Sequence, residues 1–345
     1  MKKLEKLFLL SPFLLTSCMN TSVKVSEIRE ISLDEFNIEE TKLNNAKKSM
    51  VYLEENKING LHYCGVTISE DPFFYYIASY GSYKSDDTIL KMTKGYDNDG
   101  NSFNVSYIGT DFKNNIAVYK ALKLGVELTV ATGSSDYSQT MDVMSISTPF
   151  VETYTNVENS INIVRNGIIS TARTGYFSTT MALASVERGA GVFDTNGALI
   201  GMIDSVINND GGNGDEIDNY VVSLNRALKY DLLKDITKDI IDNNGDITRG
   251  LMGVTVTNYE IAQASPIGLP DEETICVAVS NVSTGSPAQK AGIEIGYLIY
   301  KIDGNVLNRI EDLSYYLARK NKGDSVTCEF IDFNSKHHTK TITLR

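Results

Sequence analysis

The stretch VSTGSPAQKAGIEIGYLIYKIDGNVL, residues 282–307, is the most informative part of this 345-residue chain. Within it, SPAQKAG predicts a short helix. YLIYKIDG, which follows closely, predicts a strand that enters a tight turn at its Asp-Gly pair. A short helix leading into a strand is one part of a larger pattern that covers residues 249–345.

The rest of that unit is a set of strands with one further helix. IEDLSYYLARKNKG is amphipathic, with Ile310, Leu313 and Leu317 on one face and Gly323 just past its end. The predicted strands are RGLMGVTV, ETICVAVSNV, SVTCEFID and TKTITLR. Residues 249–345 are therefore predicted to form a small α+β domain, a β-sandwich capped by two helices.

These motifs resemble the PDZ domains of the HtrA/Deg-type bacterial proteases, whose pattern is gSPAxxAGLxxGDxIxxIxG. Tyr297 departs from it, because an aspartate is usual there. The residues that match are Ser286, Pro287, Ala288, Ala291, Gly292, Gly296, Ile302 and Gly304. Upstream, RGLMGV (249–254) is similar to the family's R-G-x-L-G-[VI] segment.

The resemblance implies a peptide-binding site in this unit. Successive backbone N–H groups would hold a C-terminal carboxylate, and the adjoining strand would pair with the peptide. The loop and strand residues so implied are Arg249, Gly250, Leu251, Met252, Gly253 and Val254. The pocket for the terminal side chain would lie against Ile310, Leu313 and Leu317. A PDZ fold that no longer binds peptide is the alternative.

Residues 49–225 show many short β-type runs separated by Gly, Asn and Asp turns, which predicts an all-β barrel or sandwich. VELTVA (126–131) is among the predicted strands. LNRALKYDLLKDITKDIID (224–242) has helical spacing of its apolar residues and predicts a helix that ends at Asn-Gly.

This region resembles the chymotrypsin-like double β-barrel of the same proteases. The similar segments are FYYIASYGSY (74–83), TDFKNNIAVYKA (110–121), DVMSISTPF (142–150) and YFSTTMALASVERGAGVFD (176–194). The fold class is therefore predicted to be mostly β, a double barrel followed by a PDZ domain.

The resemblance also assigns the positions of the catalytic triad. Gly81 stands at the position of the histidine base, Asn115 at that of the aspartate and Arg188 at that of the nucleophilic serine. A serine triad needs a hydroxyl, an imidazole and a carboxylate, so no catalytic residue is predicted. Val186 replaces a glycine of the oxyanion loop. Arg188 is either a tolerated substituent or a plug that contacts Glu187 or another carboxylate.

The N-terminus predicts export. MKKLEK and the apolar run LFLLSPFLL (7–15) resemble a signal peptide, since the run is too short to span a bilayer. Leu15-Thr16-Ser17-Cys18 resembles a bacterial lipobox, so Cys18 is the predicted lipid attachment site. The chain is expected to be extracytoplasmic and membrane-anchored, in the periplasm or at the cell surface. A plain signal peptide is the alternative.

Composition limits other functions. The net charge of −12, without a basic block after the N-terminus, argues against nucleic acid as a partner. No metal site or cofactor is predicted, and the acidic loops 96–103 and 208–218 are interpreted as turns. The cysteines Cys64, Cys276 and Cys328 imply no disulfide framework.

The predicted organisation has five parts: a lipoprotein signal peptide (1–17), a tether with a short helix (18–48), a degenerate barrel (49–225), a helical linker (226–248) and a PDZ domain (249–345). The predicted function is an HtrA-like pseudoprotease that binds polypeptide C-termini or unfolded envelope proteins as a chaperone, scaffold or regulator. An active serine endopeptidase and a surface adhesin or antigen are the alternatives. Homo-oligomer formation is left open.

Overall fold

The computed structural model describes residues 39–55, 62–81, 89, 91–147, 163–183, 187–208, 223–258 and 276–345. The predicted signal peptide, Cys18 and most of the tether lie outside these residues. Within them the chain forms two closed six-stranded barrels followed by a six-stranded sheet. The predicted fold class is confirmed.

The first barrel follows a short helix, α1 (Glu40–Lys48). It closes where the first strand pairs with the fourth. Its strands are β1 (Met50–Glu54), β2 (His62–Glu70), β3 (Phe74–Tyr80), β4 (Lys94–Tyr96), β5 (Ser102–Asp111) and β6 (Ile116–Leu122). The acidic loop after β4 is the β4–β5 hairpin turn that the Asp-Gly pair predicts.

Strand β6 shows how alternation along a strand builds two cores at once. Ala117, Tyr119 and Ala121 pack in an apolar cluster formed by the first barrel and the segment that follows β6. Ile116 and Val118 point to the other face and join a cluster that includes the second barrel. The strand is therefore buried on both faces.

The second barrel closes where β10 pairs with β7. Its strands are β7 (Asp142–Ser147), β8 (Ile163–Ala172), β9 (Tyr176–Thr179), β10 (Gly191–Asp194), β11 (Leu199–Asn208) and β12 (Ser223–Lys229). Helix α2 (Tyr230–Asn243) follows directly and buries Leu233, Ile236 and Ile240. It ends at Asn244 in the left-handed conformation that favours asparagine and glycine.

Two sequence predictions were wrong. VELTVA is an irregular segment, because its backbone bonds go singly to separate elements, Thr129 N–H to Lys48 and Ala131 N–H to Thr67. The helix begins at Tyr230 and not at Leu224. The residues before Tyr230 belong to β12, whose place between β9 and β11 overrides their helical spacing.

The C-terminal sheet has the order β13–β14–β15–β17–β18, with β16 paired to β15. Two helices, α3 (Pro287–Lys290) and α4 (Ile310–Leu317), cap it as predicted. The strands are β13 (Val254–Asn258), β14 (Val277–Val282), β15 (Leu298–Ile302), β16 (Asn305–Val306), β17 (Ser325–Ile331) and β18 (His337–Thr343).

None of the helices in the described residues is long and apolar enough to cross a membrane. The same residues contain no group of three or more His, Cys, Asp or Glu side chains able to hold a metal ion. Cys64, Cys276 and Cys328 are buried thiols that are not joined in disulfides. Burial raises the pKa of the Cys276 thiol to about 11.

Candidate functional site

Arg188 lies in the turn that leads into β10, at the position predicted for the nucleophile. Its backbone carbonyl accepts a hydrogen bond of 3.0 Å from the N–H of Cys64 in the first barrel. Its guanidinium carbon lies 5.0 Å from the centre of the Tyr80 ring, within cation–π range. Burial raises the pKa of the Tyr80 phenol, although the Arg188 charge acts in the opposite direction. Position 188 therefore lies where the two barrels meet.

Gly81 and Asn115 lie close to the same place. The N–H of Gly81, the residue after Tyr80, donates a 2.9 Å hydrogen bond to the carbonyl of Asn115. Asn115 has a φ of 56°, a left-handed conformation that asparagine tolerates. The fold thus brings all three predicted triad positions into one neighbourhood, as the alignment requires.

Position 81 has no room for a side chain. A Cβ atom there would lie 2.7 Å from Thr110 Cγ2, 2.9 Å from the Ala117 nitrogen and 2.9 Å from the Ile116 carbonyl carbon. Two of these atoms are backbone, so a larger residue would have to move β6. The packing at this position is specific to glycine.

Gly189 fixes the path of the chain after Arg188. It has a φ of 86°, and its N–H donates to the Ile203 carbonyl at 2.7 Å. A Cβ atom there would lie only 1.9 Å from the Cys64 carbonyl oxygen. Val186, predicted to alter the oxyanion loop, lies outside the described residues.

Glu187 is buried beside Arg188. Its carboxylate accepts a 2.6 Å hydrogen bond from Ser147 Oγ and forms an ion pair with Arg165 at 3.2 Å. The contact identified for the Arg188 guanidinium is instead the face of Tyr80. The two explanations from the sequence, a tolerated substituent or a plug that contacts a carboxylate, both missed this aromatic contact.

A buried ion pair near this cleft was missed from the sequence. Asp204 lies in β11 with 2% of its surface exposed, and Arg226 of β12 donates to it at 2.5 Å. Burial raises the pKa of the Asp204 carboxyl, while the charges of Arg226 and Arg188 oppose that shift. The signal available was an aspartate in the middle of the apolar run LIGMIDSVI.

The three histidines occupy other places. His62 stacks on Tyr52 with ring centres 5.5 Å apart. It points to the face opposite Tyr63, whose ring packs on Tyr80 beside Arg188. His337 and His338 lie in β18, where His338 contacts Asp332 at 2.8 Å. The identified contacts of the three histidines therefore include those with Tyr52, Tyr300 and Asp332.

The loop before β13 has the geometry expected for a carboxylate site. The carbonyl of Met252 accepts from Ala288 N–H, and the carbonyl of Gly253 accepts from Ser283 N–H, at 3.0 and 2.9 Å. The N–H groups of Met252 and Gly253 have no hydrogen-bond partner among the described residues. Adjacent unpaired N–H groups form a nest that favours an anion.

The glycines and Leu251 shape this loop. Gly253 has a φ of 81°, and a Cβ atom there would lie 2.3 Å from Ser286 Cβ. A Cβ atom on Gly250 would lie 2.6 Å from Leu344 Cβ. The backbone of Leu251 pairs with Arg345 in both directions, at 3.0 and 3.2 Å, and its side chain is 52% exposed.

Helix α4 lies beside β13, where the predicted pocket requires it. Its first N–H, that of Ile310, donates to Asn258 Oδ1 at the end of β13, at 3.1 Å. Leu313 and Leu317 are buried in the PDZ core, packed in one cluster with the half-buried Val254 of β13. The two leucines thus form the base of the predicted pocket between α4 and β13. Ile310 lies at the N-terminal end of α4.

Arg249 occupies a different position from the one predicted. Its guanidinium is buried and bonds Asp111 of the first barrel at 2.6 Å, Asp239 of α2 at 2.8 Å and Asn321 of the PDZ domain at 2.9 Å. We call these four residues the Arg249 clasp. The Arg249 side chain therefore joins the first barrel, α2 and the PDZ domain, and its guanidinium is engaged there instead of contacting a peptide.

A closed double β-barrel followed by a PDZ-like sheet defines the architecture of the chymotrypsin-like proteases that carry PDZ domains. A profile of the PDZ domain family matches residues 278–331. The HtrA-type protease AlgW, solved with a tripeptide, superposes with a TM-score of 0.64 at 21% identity, covering 88% of this chain and 96% of that chain. AlgW with a decapeptide gives a TM-score of 0.61 at 20% identity over 88% of this chain and 98% of that chain.

Curated proteins of similar sequence are serine endoproteases as well. A probable periplasmic serine endoprotease, DegP-like, of Halomonas elongata is 22% identical over 72% of this chain and 50% of its own length. The periplasmic pH-dependent serine endoprotease DegQ of Escherichia coli is 25% identical over 66% of this chain and 48% of its own length. The chain spans about half the length of the curated relatives it matches. It is similar in sequence to the DegP and DegQ serine proteases and in fold to the HtrA-type proteases.

Proposed function

We propose that this chain is a pseudoprotease that binds the C-termini of other polypeptides through its PDZ domain, as a chaperone, scaffold or regulator. The observation that carries the proposal is the neighbourhood of Gly81, Asn115 and Arg188. The fold keeps these positions together, while the guanidinium of Arg188 rests on Tyr80.

The chemistry of these three side chains supports the proposal. Triad hydrolysis needs a hydroxyl whose proton passes to an imidazole that a carboxylate orients. A guanidinium stays protonated and has only donors, and glycine contributes no side chain. In a comparable protease, loss of the serine or histidine alone lowers turnover roughly a millionfold. Hydrolysis by this cleft is therefore not expected.

The peptide-binding half of the proposal rests on the nest and on β13. The unpaired N–H groups of Met252 and Gly253 suit a terminal carboxylate, and β13 lies at the edge of its sheet, so that an added strand can pair with it. Two structures similar to this chain are HtrA-type proteases solved with peptides.

Activity measurements test the pseudoprotease assignment. The purified chain is expected to leave unfolded casein uncleaved and to remain unlabelled by a fluorophosphonate probe, with an active trypsin-like protease as the positive control. Labelling of any serine would overturn the assignment. It would favour the alternative, an active serine endopeptidase, which the names of the homologues support.

Paired peptides test the binding site without changing the protein. Members of a library of peptides with free C-termini should bind the chain, and the same sequences with amidated C-termini should bind at least about tenfold more weakly, because a charged hydrogen-bonded group is lost. Equal affinity for both forms would contradict the carboxylate nest.

We further propose that the chain is a lipid-anchored protein outside the cytoplasm, with the domain division given by the sequence and the barrel extended through β12. The lipobox at Cys18 supports the anchor, and the periplasmic names of the homologues support the location. Cys18→Ser should abolish incorporation of a labelled fatty acid, whereas Ser17→Ala should retain it. Incorporation into the Cys18→Ser chain would exclude this anchor.

A further inference from the structure

A cavity of about 520 Å³ lies between the second barrel and the PDZ domain. The barrel contributes Tyr137 and Arg173 to its wall, and the PDZ domain contributes Arg309, Glu311 and Asp312 from the start of α4. We call it the Arg173–Arg309 cavity. The mechanism of carboxylate capture does not involve it.

The charges in this cavity are unevenly placed. Neither Arg173 nor Arg309 has an ion-pair partner among the described residues, and the side chain of Arg309 is exposed. Asp312, by contrast, is 5% exposed and accepts hydrogen bonds from the backbone of Asn308 and Arg309. One carboxylate oxygen of Glu311 is also fully buried. Arg173 and Arg309 therefore offer guanidinium groups without an ion-pair partner, whereas the Asp312 carboxylate is already occupied by hydrogen bonds, one of them from the Thr174 hydroxyl of the barrel.

Lys229 adds positive charge behind the barrel wall of the cavity. Its ammonium lies 4.2 Å from the centre of the Tyr137 ring and donates to the Thr174 carbonyl at 2.7 Å. Tyr137 and Thr174 both line the cavity. In a chain with a net charge of −12, unpaired guanidinium groups with this ammonium nearby favour anionic groups on a ligand.

The cavity lies at one end of the peptide groove. A peptide whose carboxylate occupies the nest at Gly253 would run antiparallel to β13 and leave it at Asn258. Asn258 Oδ1 accepts from the N–H of Ile310, the residue after Arg309. Since β13 has five residues and a strand rises about 3.4 Å per residue, peptide residues about six to eight from the C-terminus would reach the cavity.

We propose that the Arg173–Arg309 cavity binds acidic side chains of the same peptide, about six to eight residues before its C-terminus. This inference rests on the proposed capture of C-termini. It assigns the ligand class as peptides that combine a free C-terminus with upstream Asp or Glu residues.

Matched peptides of twelve residues test this inference on the purified full chain. One peptide carries Asp and Glu at the sixth to eighth positions from the C-terminus, and the other carries Asn and Gln. Fluorescence anisotropy should give a Kd about three- to tenfold lower for the acidic peptide at low salt, since each of the two ion pairs at the rim contributes only modestly. The ratio should shrink at high salt.

Variants locate the effect. Arg309→Gln and Arg173→Gln should each bring the ratio of the two Kd values closer to one, while Lys340→Gln, an exposed cation on β18, should leave it unchanged. A ratio that persists in both arginine variants would overturn the inference.

The outcomes separate the two proposals. Binding that requires a free C-terminus but has equal Kd values for acidic and neutral peptides overturns the cavity inference alone. Binding that is unaffected by amidation overturns the carboxylate site itself, together with the inference that depends on it.

Discussion

Arg188 places a permanent cation at the junction of the two barrels. The identified contact of its guanidinium is the Tyr80 ring rather than the Glu187 carboxylate. The guanidinium is half-buried against the Tyr80 ring. A flat, weakly hydrated cation over an aromatic face loses less solvation than an ammonium would, so arginine suits this place better than lysine. The residue is therefore part of the local packing.

A double-mutant cycle measures this contact. Arg188→Met and Tyr80→Leu, singly and together, should give a coupling energy of about 0.5–1 kcal/mol in urea unfolding, the range of exposed to half-buried cation–π pairs. A coupling near zero would show that the two side chains are neighbours without interacting.

The sequence predicts the residue types at this site but not their partners. The assignment of Gly81, Asn115 and Arg188 follows from the resemblance of the segments around them to those of the HtrA-type proteases. The Tyr80 stack and the Asp204–Arg226 pair depend on side chains from separate strands, and local patterns carry no information about such distant contacts. Arg249 illustrates the same limit, since its motif does not reveal that Asp111 would bind it.

At the scale of elements, two turns use glycine for different reasons. Gly189 and Gly125 both have a left-handed φ, 86° and 76°. At Gly189 a Cβ atom would overlap the Cys64 carbonyl, whereas at Gly125 nothing lies within 4 Å. The first turn needs glycine for space and conformation, the second for conformation alone.

Matched alanine variants separate these two costs. Gly125→Ala should lower the free energy of unfolding by about 1–2 kcal/mol from backbone strain. Gly189→Ala should cost about 1–3 kcal/mol more, because β10 must also move away from β2. Equal losses in urea unfolding would mean that the loop after Arg188 adjusts freely.

A second prediction concerns the turn after β15. Burial alone would raise the pKa of the Asp303 carboxyl, but hydrogen bonds from Lys320 and the Thr327 N–H bring it below its usual value. Because the pKa of this carboxyl is lower in the folded state, its ionised form stabilises the fold above about pH 4. That stabilisation is lost as the pH falls through the lowered pKa.

The variant Asp303→Asn tests whether the ionised Asp303 carboxylate stabilises the fold. Asparagine tolerates the left-handed φ of 49° at this position. The variant should be less stable than the parent at pH 6, by up to about 1 kcal/mol for a partly exposed pair. The two proteins should converge near pH 2.5, as urea unfolding at both values would show. A constant difference would assign the effect to packing.

A helix or strand can be predicted well when its apolar residues recur at regular spacing. Most barrel strands could be predicted from alternation and turn residues, and α4 from its apolar face. VELTVA alternates like a strand yet lies irregularly, because its backbone partners belong to separate elements. Residues 224–229 have helical spacing, but two neighbouring strands hold them in β12.

At the scale of the whole molecule, the Arg249 clasp connects the first barrel, α2 and the PDZ domain. Asp111 is fully buried. Besides the bond from Arg249, its carboxylate accepts hydrogen bonds from the backbone N–H groups of Lys113 and Asn114. Arg319 adds outer contacts from the PDZ domain to Asp231 and Asp235 of α2. The domains are thus joined by buried and exposed charges together.

Arg249→Met should lower the free energy of unfolding by about 3–5 kcal/mol, because it leaves the Asp111 carboxylate buried without its partner. The double variant Arg249→Met, Asp111→Asn should recover part of that loss. Lys238→Met, which breaks an exposed pair with Asp242, should change little. A single variant as stable as the parent would show that the clasp contributes nothing.

The packing around Gly81 has a consequence for the protein's descent. A histidine could return there only if Thr110 and the backbone of residues 116–117 shifted as well. On the proposed assignment as a pseudoprotease, a serine introduced at position 188 alone would meet no imidazole. The close fit at Gly81 would then act as an evolutionary ratchet, which leaves recognition open to change while blocking a stepwise gain of cleavage.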